Sequence, residues 1–125
     1  MPSAPTFRSL DCRFAALIAE VAGAPELGPL QTKLRHQLEK AKERKELSEV
    51  RCRATNLRRA KSELAKAIRK MIQVKRTLNS RQAKRSIAIA VRAALLAATD
   101  GLQTDLGTLR SALRCPDDAP PALGA

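Results

Sequence analysis

The chain holds 125 residues, enough for one domain and too few for two independent cores. Hydrophobic residues make up 44% of it, which excludes a purely disordered basic tail. Its 24 Lys/Arg against 12 Asp/Glu leave a net charge of +12 that draws the protein to polyanions.

Proline and glycine mark the limits of the elements. After residues 1–5, read as a flexible N-terminus, Thr6 is a candidate N-cap. Phe7, Leu10, Phe14, Leu17 and Val21 follow at alternating steps of three and four, one apolar stripe of a helix that ends at Gly23. Residues 30–100 contain neither Pro nor Gly, which predicts long helices. A middle helix starts near Pro29, with Leu30, Leu34, Leu38 and Ala41 on its stripe, and the charged run 42–46 is expected to shift that stripe's phase. From Val50 the steps are strict: Val50, Ala54, Leu57, Lys61, Leu64, Ile68, Met71, Lys75, Leu78. Asn79-Ser80 offers a turn, and Ser80 a cap for a third helix with the stripe Ile87, Val91, Ala94, Ala98, Leu102, Leu106, Leu109 and Leu113. Gly101 and Gly107 are expected to fray its last turns. The alternative is one unbroken rod through residues 78–81; the hairpin is preferred. Residues 6–115 thus read as a single helical domain, and 116–125 as a disordered Pro/Ala-rich tail.

Cys12, Cys52 and Cys115 lie far apart in sequence and only one His is present, so no zinc site is expected, nor any other metal or cofactor. An odd cysteine count suggests a reducing compartment, cytoplasm or nucleus, with an intermolecular disulfide as the alternative. Residues 1–24 carry Arg8 and Arg13 on an amphipathic segment, but Asp11 and Glu20 are wrong for a presequence. No apolar run approaches the roughly 20 residues of a membrane span, and no membrane partner is expected.

The charge is concentrated. Residues 50–92 hold fourteen Lys/Arg and one acid, Glu63, a net of +13, whereas acids and bases interleave over residues 39–49. On a helix whose inner face is the stripe, Arg59, Lys66, Arg69, Lys70 and Arg76 fall on the outer face with Arg58 on its shoulder. Arg81, Lys84 and Arg85 extend the row, and Arg53 precedes it. Lys61 and Lys75, at inner positions, are read as stems lying on apolar surface with ammonium groups reaching out.

Such a row meets phosphates. The two Phe belong to the first helix's stripe, so bases find no stacking platform, and no zinc-finger, GXXG or helix-turn-helix pattern reads sequence. Binding by shape and charge to a duplex remains, RNA first and DNA second. The order of elements resembles the nodaviral B2 proteins in its leading amphipathic helix, long basic helix, turn to another helix and Pro/Ala-rich tail. Locally, Arg53-Ala54-Thr55-Asn56 within the long helix resembles a stretch of one branch of that family. The likeness covers the architecture of residues 7–91, while the third helix here is much longer. The resemblance implies a viral, homodimeric, sequence-independent double-stranded RNA binder of the host cytoplasm that suppresses RNA silencing by shielding duplexes from dicing and loading.

A coiled-coil subunit of a larger assembly is the competing reading. An enzyme is not expected and neither is a small-molecule substrate: His36 has no catalytic partner, and Cys52, between Arg51 and Arg53, reads as a bystander thiol. Three narrow Ala-rich stripes give a thin core, so the fold class is all-α, long antiparallel helices in a bundle formed by dimerisation. Leu57, Leu64, Ile68, Met71, Leu78, Ile87 and Val91 are its expected core and dimer residues.

Overall fold

The computed structural model describes residues 4–119. Among them are five α-helices, one 3-10 turn and no strand: α1 (Phe7–Ala22), the turn Pro25–Leu27, α2 (Leu30–Arg53), α3 (Leu57–Leu78), the short α4 (Arg81–Ser86) and α5 (Ile89–Ala112). The four long helices form a closed ring of neighbours, in which α2 packs on α1 and α3, and α5 on α3 and α1. Every adjacent pair is antiparallel, as the cross-links Asp11–Lys45, Arg44–Glu63, Lys75–Asp100 and Arg13–Asp105 show. The protein is an up-down-up-down four-helix bundle.

Helix α1 follows from its sequence. The Thr6 side chain accepts from the Ser9 N–H (3.1 Å), and Ser9 Oγ accepts from the Thr6 N–H (2.9 Å), a reciprocal cap. Phe7, Leu10, Phe14, Leu17 and Val21 are all buried. At its far end, Gln31 donates to the carbonyls of Val21 and Ala22, tying the last turn of α1 to the start of α2.

The middle helix does not run through to Leu78. It breaks at Ala54–Asn56, where Thr55 adopts φ 59. The Thr55 N–H donates to the Cys52 carbonyl and the Asn56 N–H to the Arg51 carbonyl (both 2.9 Å), while Asn56 Oδ1 accepts from the Arg59 N–H (3.1 Å). One helix ends with its carbonyls satisfied and the next begins capped. Arg53-Ala54-Thr55-Asn56 therefore lies at a turn and not inside a helix. As one rod, residues 30–78 would extend about 74 Å with their apolar stripe facing water; folded in half, the two stripes bury each other. The chain then owns four long helices instead of three, and its core closes within one copy. The thin-core reason for a dimer disappears.

The stripes shift accordingly. On α2 there is no change of phase: Leu34, Leu38, Ala41, Lys45, Ser48 and Cys52 continue at steps of four and three, all buried. Lys45 sits in the stripe at 0% exposure, its ammonium held by Asp11 of α1 and by Glu49 one turn on. Ser48 Oγ donates to the Ala60 carbonyl (2.7 Å). On α3 the buried positions are Ala60, Leu64, Ala67, Met71, Val74, Thr77 and Leu78. Leu64, Met71 and Leu78 match the sequence reading. Ile68 is only partly buried, and Leu57 and Val50 are exposed (39% and 47%). The small Ala60 faces inward where Ser48 of α2 comes close enough to reach its carbonyl.

The third helix is also divided. Ser80 caps α4 by accepting from the Ala83 N–H (3.1 Å), and Ile87 and Ala88 then adopt extended backbone before α5. Ile87 is buried, Val91 is partly buried, and Leu95, Thr99, Leu102, Leu106 and Leu109 form the inner face of α5. Ala94, expected inside, is exposed. Despite two glycines, α5 is continuous, with the Arg13–Asp105 pair lying over Gly101.

Two of the three cysteines are paired. Cys52, buried at the end of α2, forms a disulfide with Cys115 beyond α5 at a Cα–Cα distance of 4.7 Å. A separation of 63 residues in sequence concealed this proximity, so Cys52 is not the bystander thiol expected, and the bond runs against the reducing compartment inferred from the odd cysteine count. The first residues of the expected disordered tail fold with it. Asp118 accepts from the Arg114 N–H (2.8 Å), and Ala119 packs against the core. The remainder of that tail and residues 1–3 lie outside the described residues.

Candidate nucleic-acid interface

The α2–α3 hairpin positions most of the cations. Arg58 and Arg59 occupy the first turn of α3, where unpaired backbone N–H groups already make the potential positive. Two like charges there raise the local cost and increase the attraction for an anion. Arg58, Arg69 and Arg76 repeat at eleven and seven residues, aligning on the outer face of α3 over about 27 Å. Arg59, Lys66 and Lys70 form a second row along the edge toward α2. Arg81, Lys84 and Arg85 stand exposed on α4 at the end of the first row.

Glu63, 13% exposed on its side chain, does not neutralise these rows. It bridges Arg44 of α2 (3.3 Å) and Lys66 (3.4 Å), fastening the helix pair together with the Thr77–Gln37 hydrogen bond (3.1 Å). Among the ten cations that the sequence nominated, Arg53 pairs with Glu49 (4.0 Å) and Lys66 with Glu63. Arg58, Arg59, Arg69, Lys70, Arg76, Arg81, Lys84 and Arg85 have no carboxylate within 4.0 Å among the described residues. Lys75 reaches Asp100 of α5 (2.7 Å), as its stem-and-head reading expects.

Folding the middle helix back adds residues that the sequence reading passed over. Lys33, Lys40, Arg44 and Arg51 repeat at seven, four and seven along α2, the same spacing as Arg59, Lys66 and Lys70. Arg44 touches Glu63, so this row borders α3. Lys33 and Arg51 have no carboxylate partner among the described residues. The signal was the spacing, hidden because residues 1–49 are nearly charge-balanced overall. Three of the seven acids in that stretch are spent within α2, in Arg35–Glu39, Lys40–Glu43 and Lys42–Glu46, and none of these touches Lys33 or Arg51. The hydrogen bond with Glu46 (2.8 Å) holds the Lys42 ammonium above the usual lysine range, against the opposing effect of desolvation.

Phe7 and Phe14 are fully buried and the chain has no Tyr or Trp, so this surface offers no Phe, Tyr or Trp platform for stacked bases. His36 is exposed on α2. No group of three His, Cys, Asp or Glu among the described residues could hold a metal ion, and no helix there is long and apolar enough to cross a membrane.

Fold and site together define an all-α antiparallel four-helix bundle with one cationic side. No protein-family model matches the sequence, and comparison with curated proteins and with solved structures returns no match.

Proposed function

We propose that this protein binds double-stranded RNA without reading its sequence, laying the α2–α3 side along the phosphate rows of the duplex. The observation that carries the reading is the set of cations on that side left without carboxylate partners: six on α3 and α4 beyond the Arg58–Arg59 pair, joined across the hairpin by Lys33 and Arg51. Like charges held this close repel unless a polyanion neutralises them. Rows repeating along two packed helices suit a regular duplex better than a flexible single strand, and the lack of any exposed Phe, Tyr or Trp argues the same way. Binding is the whole activity in this reading, with no enzymatic step. Coating long and small interfering duplexes would shield them from dicing and loading, the silencing suppression that the B2 resemblance implies.

The test is a titration of the protein against a duplex RNA of about two A-form turns, a duplex DNA of equal length and a single-stranded RNA over a salt series. Tight, sequence-indifferent binding to duplex RNA with a steep salt slope is the expected result. Equal affinity for all three, or preference for DNA, overturns the RNA assignment, and no binding at physiological salt overturns the nucleic-acid reading itself.

A further inference from the structure

Helices α2 and α3 are joined by only Ala54, Thr55 and Asn56, a link with neither Gly nor Pro. Thr55 takes φ 59 there, a conformation that a β-branched residue rarely adopts. Val50 and Leu57 flank the link and remain exposed, so the turn buries little of its own. Straightening it loses no backbone hydrogen bond. In the turn, the Thr55 N–H donates to the Cys52 carbonyl and the Asn56 N–H to the Arg51 carbonyl. In an unbroken helix the same two donors trade the same two acceptors, Thr55 taking Arg51 and Asn56 taking Cys52. The N–H groups of Leu57 and Arg58, in the first turn of α3, then find acceptors in the carbonyls of Arg53 and Ala54. The local chain favours a straight path. What holds the turn is the packing of the α1–α2 half on the α3–α5 half, together with the Cys52–Cys115 bond.

We propose that two copies of this chain exchange their α1–α2 halves across this link, and that the Cys52–Cys115 bond is the latch that prevents it. In the exchanged pair residues 54–56 straighten, and α1–α2 of each copy packs on α3–α5 of the other. The contacts between halves re-form between copies: Arg44 with Glu63, Gln37 with Thr77, Arg13 with Asp105. Complementarity of shape and charge is that of the single bundle, so no new surface is needed. Because α2 and α3 pack antiparallel, two straightened chains lie side by side about a two-fold axis through the links. Exchange relieves two strained turns, against the cost of bringing two copies together, and short strained links favour it. The latch follows from the same geometry. In the exchanged pair the place beside Cys115 belongs to the other copy's Cys52, so a bond within one chain and the exchange exclude each other. Cys52 is fully buried, but Cys115 is only partly so and is the sulfur open to attack. A dithiol breaks the S–S bond, leaves two cysteine thiols and is itself oxidised to a cyclic disulfide.

The test uses the full chain without nucleic acid, so it is independent of any RNA result. C12S, which removes the exposed free thiol, serves as the parent. It is taken through mild urea at roughly 200 µM, either oxidised or with excess dithiol, and sedimented once the urea is removed. The oxidised protein is expected to stay monomeric and the reduced protein to dimerise. Thr55→Gly accepts positive φ freely and disfavours a straight helix, and is expected to weaken the reduced dimer by about tenfold or more. A second pair of variants separates exchange from surface docking. C12S/C52S and C12S/C115S are mixed, carried through the same cycle and reoxidised, with circular dichroism establishing that each keeps its helices. Exchange joins Cys115 of the first to Cys52 of the second, giving a covalent heterodimer on a non-reducing gel. Closed bundles that touch only at their surfaces keep Cys52 buried and give no such product. A reduced protein that remains monomeric overturns the proposal, and so does a dimer without that cross-link. So do an oxidised protein that dimerises like the reduced one and a Thr55→Gly dimer as tight as the parent's.

Discussion

The two sides of this bundle use the same helical geometry for different ends. On α2–α3 the surface residues are long and charged, and acids are taken up in ion pairs: Glu63 joins Arg44 of α2 and Lys66 of its own helix, and Glu49 pairs with Lys45 and Arg53 along α2. On α1–α5 alanine is the commonest exposed residue, cations are few, and Glu20 and Glu26 have no cation within 4.0 Å among the described residues. Net charge alone would describe the molecule as a uniform polycation. The arrangement shows instead a charged side, on which most cations lack acids, and a small-residue side tied in by the Asp11–Lys45 and Arg13–Asp105 pairs.

The strongest way to break the comparison is to remove cations from one side only. Changing Arg59, Lys66, Arg69 and Lys70 together to Ala is expected to weaken duplex binding by about 100-fold or more and to lower the salt slope by about 3 to 4, with helicity intact. The doubly reversed E20K/E26K protein is expected to bind duplex no more weakly than the parent. Equal losses in both would mean that the sides do not differ in function.

A second experiment separates the inner and flanking positions of α3. Leu64→Ala removes a fully buried side chain and is expected to cost about 2–5 kcal/mol in urea unfolding, and Ile68→Ala, only partly buried, roughly half as much. Next comes the clasp between α2 and the segment after α5. Cys115→Ser is expected to cost about 2–4 kcal/mol, and adding a dithiol reductant to the parent should reproduce that loss.

The glycines of α5 offer a smaller, opposite effect. A Cβ at Gly107 meets nothing within 4 Å, so Gly107→Ala is expected to stabilise by about 0.5–1 kcal/mol. Gly101→Ala should gain less, because its Cβ would stand 2.5 Å from Arg13 Nη2 and displace that side chain. Smallest is Lys42, on α2. Its ammonium is held above the usual range chiefly by Glu46, so its contribution is complete below the ordinary lysine value and is lost as pH rises through the raised one. Lys42→Gln, measured in urea, should cost under about 0.5 kcal/mol near neutral pH after solvent screening, and nothing in strong alkali.

Much of the fold was legible where local signals agreed with burial. Thr6 and Ser80 each cap a helix and Asn79–Ser80 is a turn, while the α1 stripe is buried in full. The break at Thr55 escaped notice because a β-branched residue at positive φ is unfavourable and carries no Gly or Pro signature. A strict heptad ran straight across it, made of Val50, Ala54 and Leu57, none of which is buried. Lys45 escaped for a related reason: a lysine in a charged run reads as solvated until its partner on another helix is known. The nominated cations were found by charge density, which needs no tertiary contact, but the α2 row was not. Its meaning depends on which helix lies beside it.

The disulfide also changes the chain's connectivity. By joining the last turn of α2 to the segment after α5, Cys52 and Cys115 close a covalent loop around α3, α4 and α5, leaving α1 and most of α2 as a free arm. A protease that cuts the extended Ile87–Ala88 link would open this loop without releasing a fragment. The nicked protein would migrate as one chain until reduced, then separate into two. Cleavage anywhere in α1 would shed a piece at once.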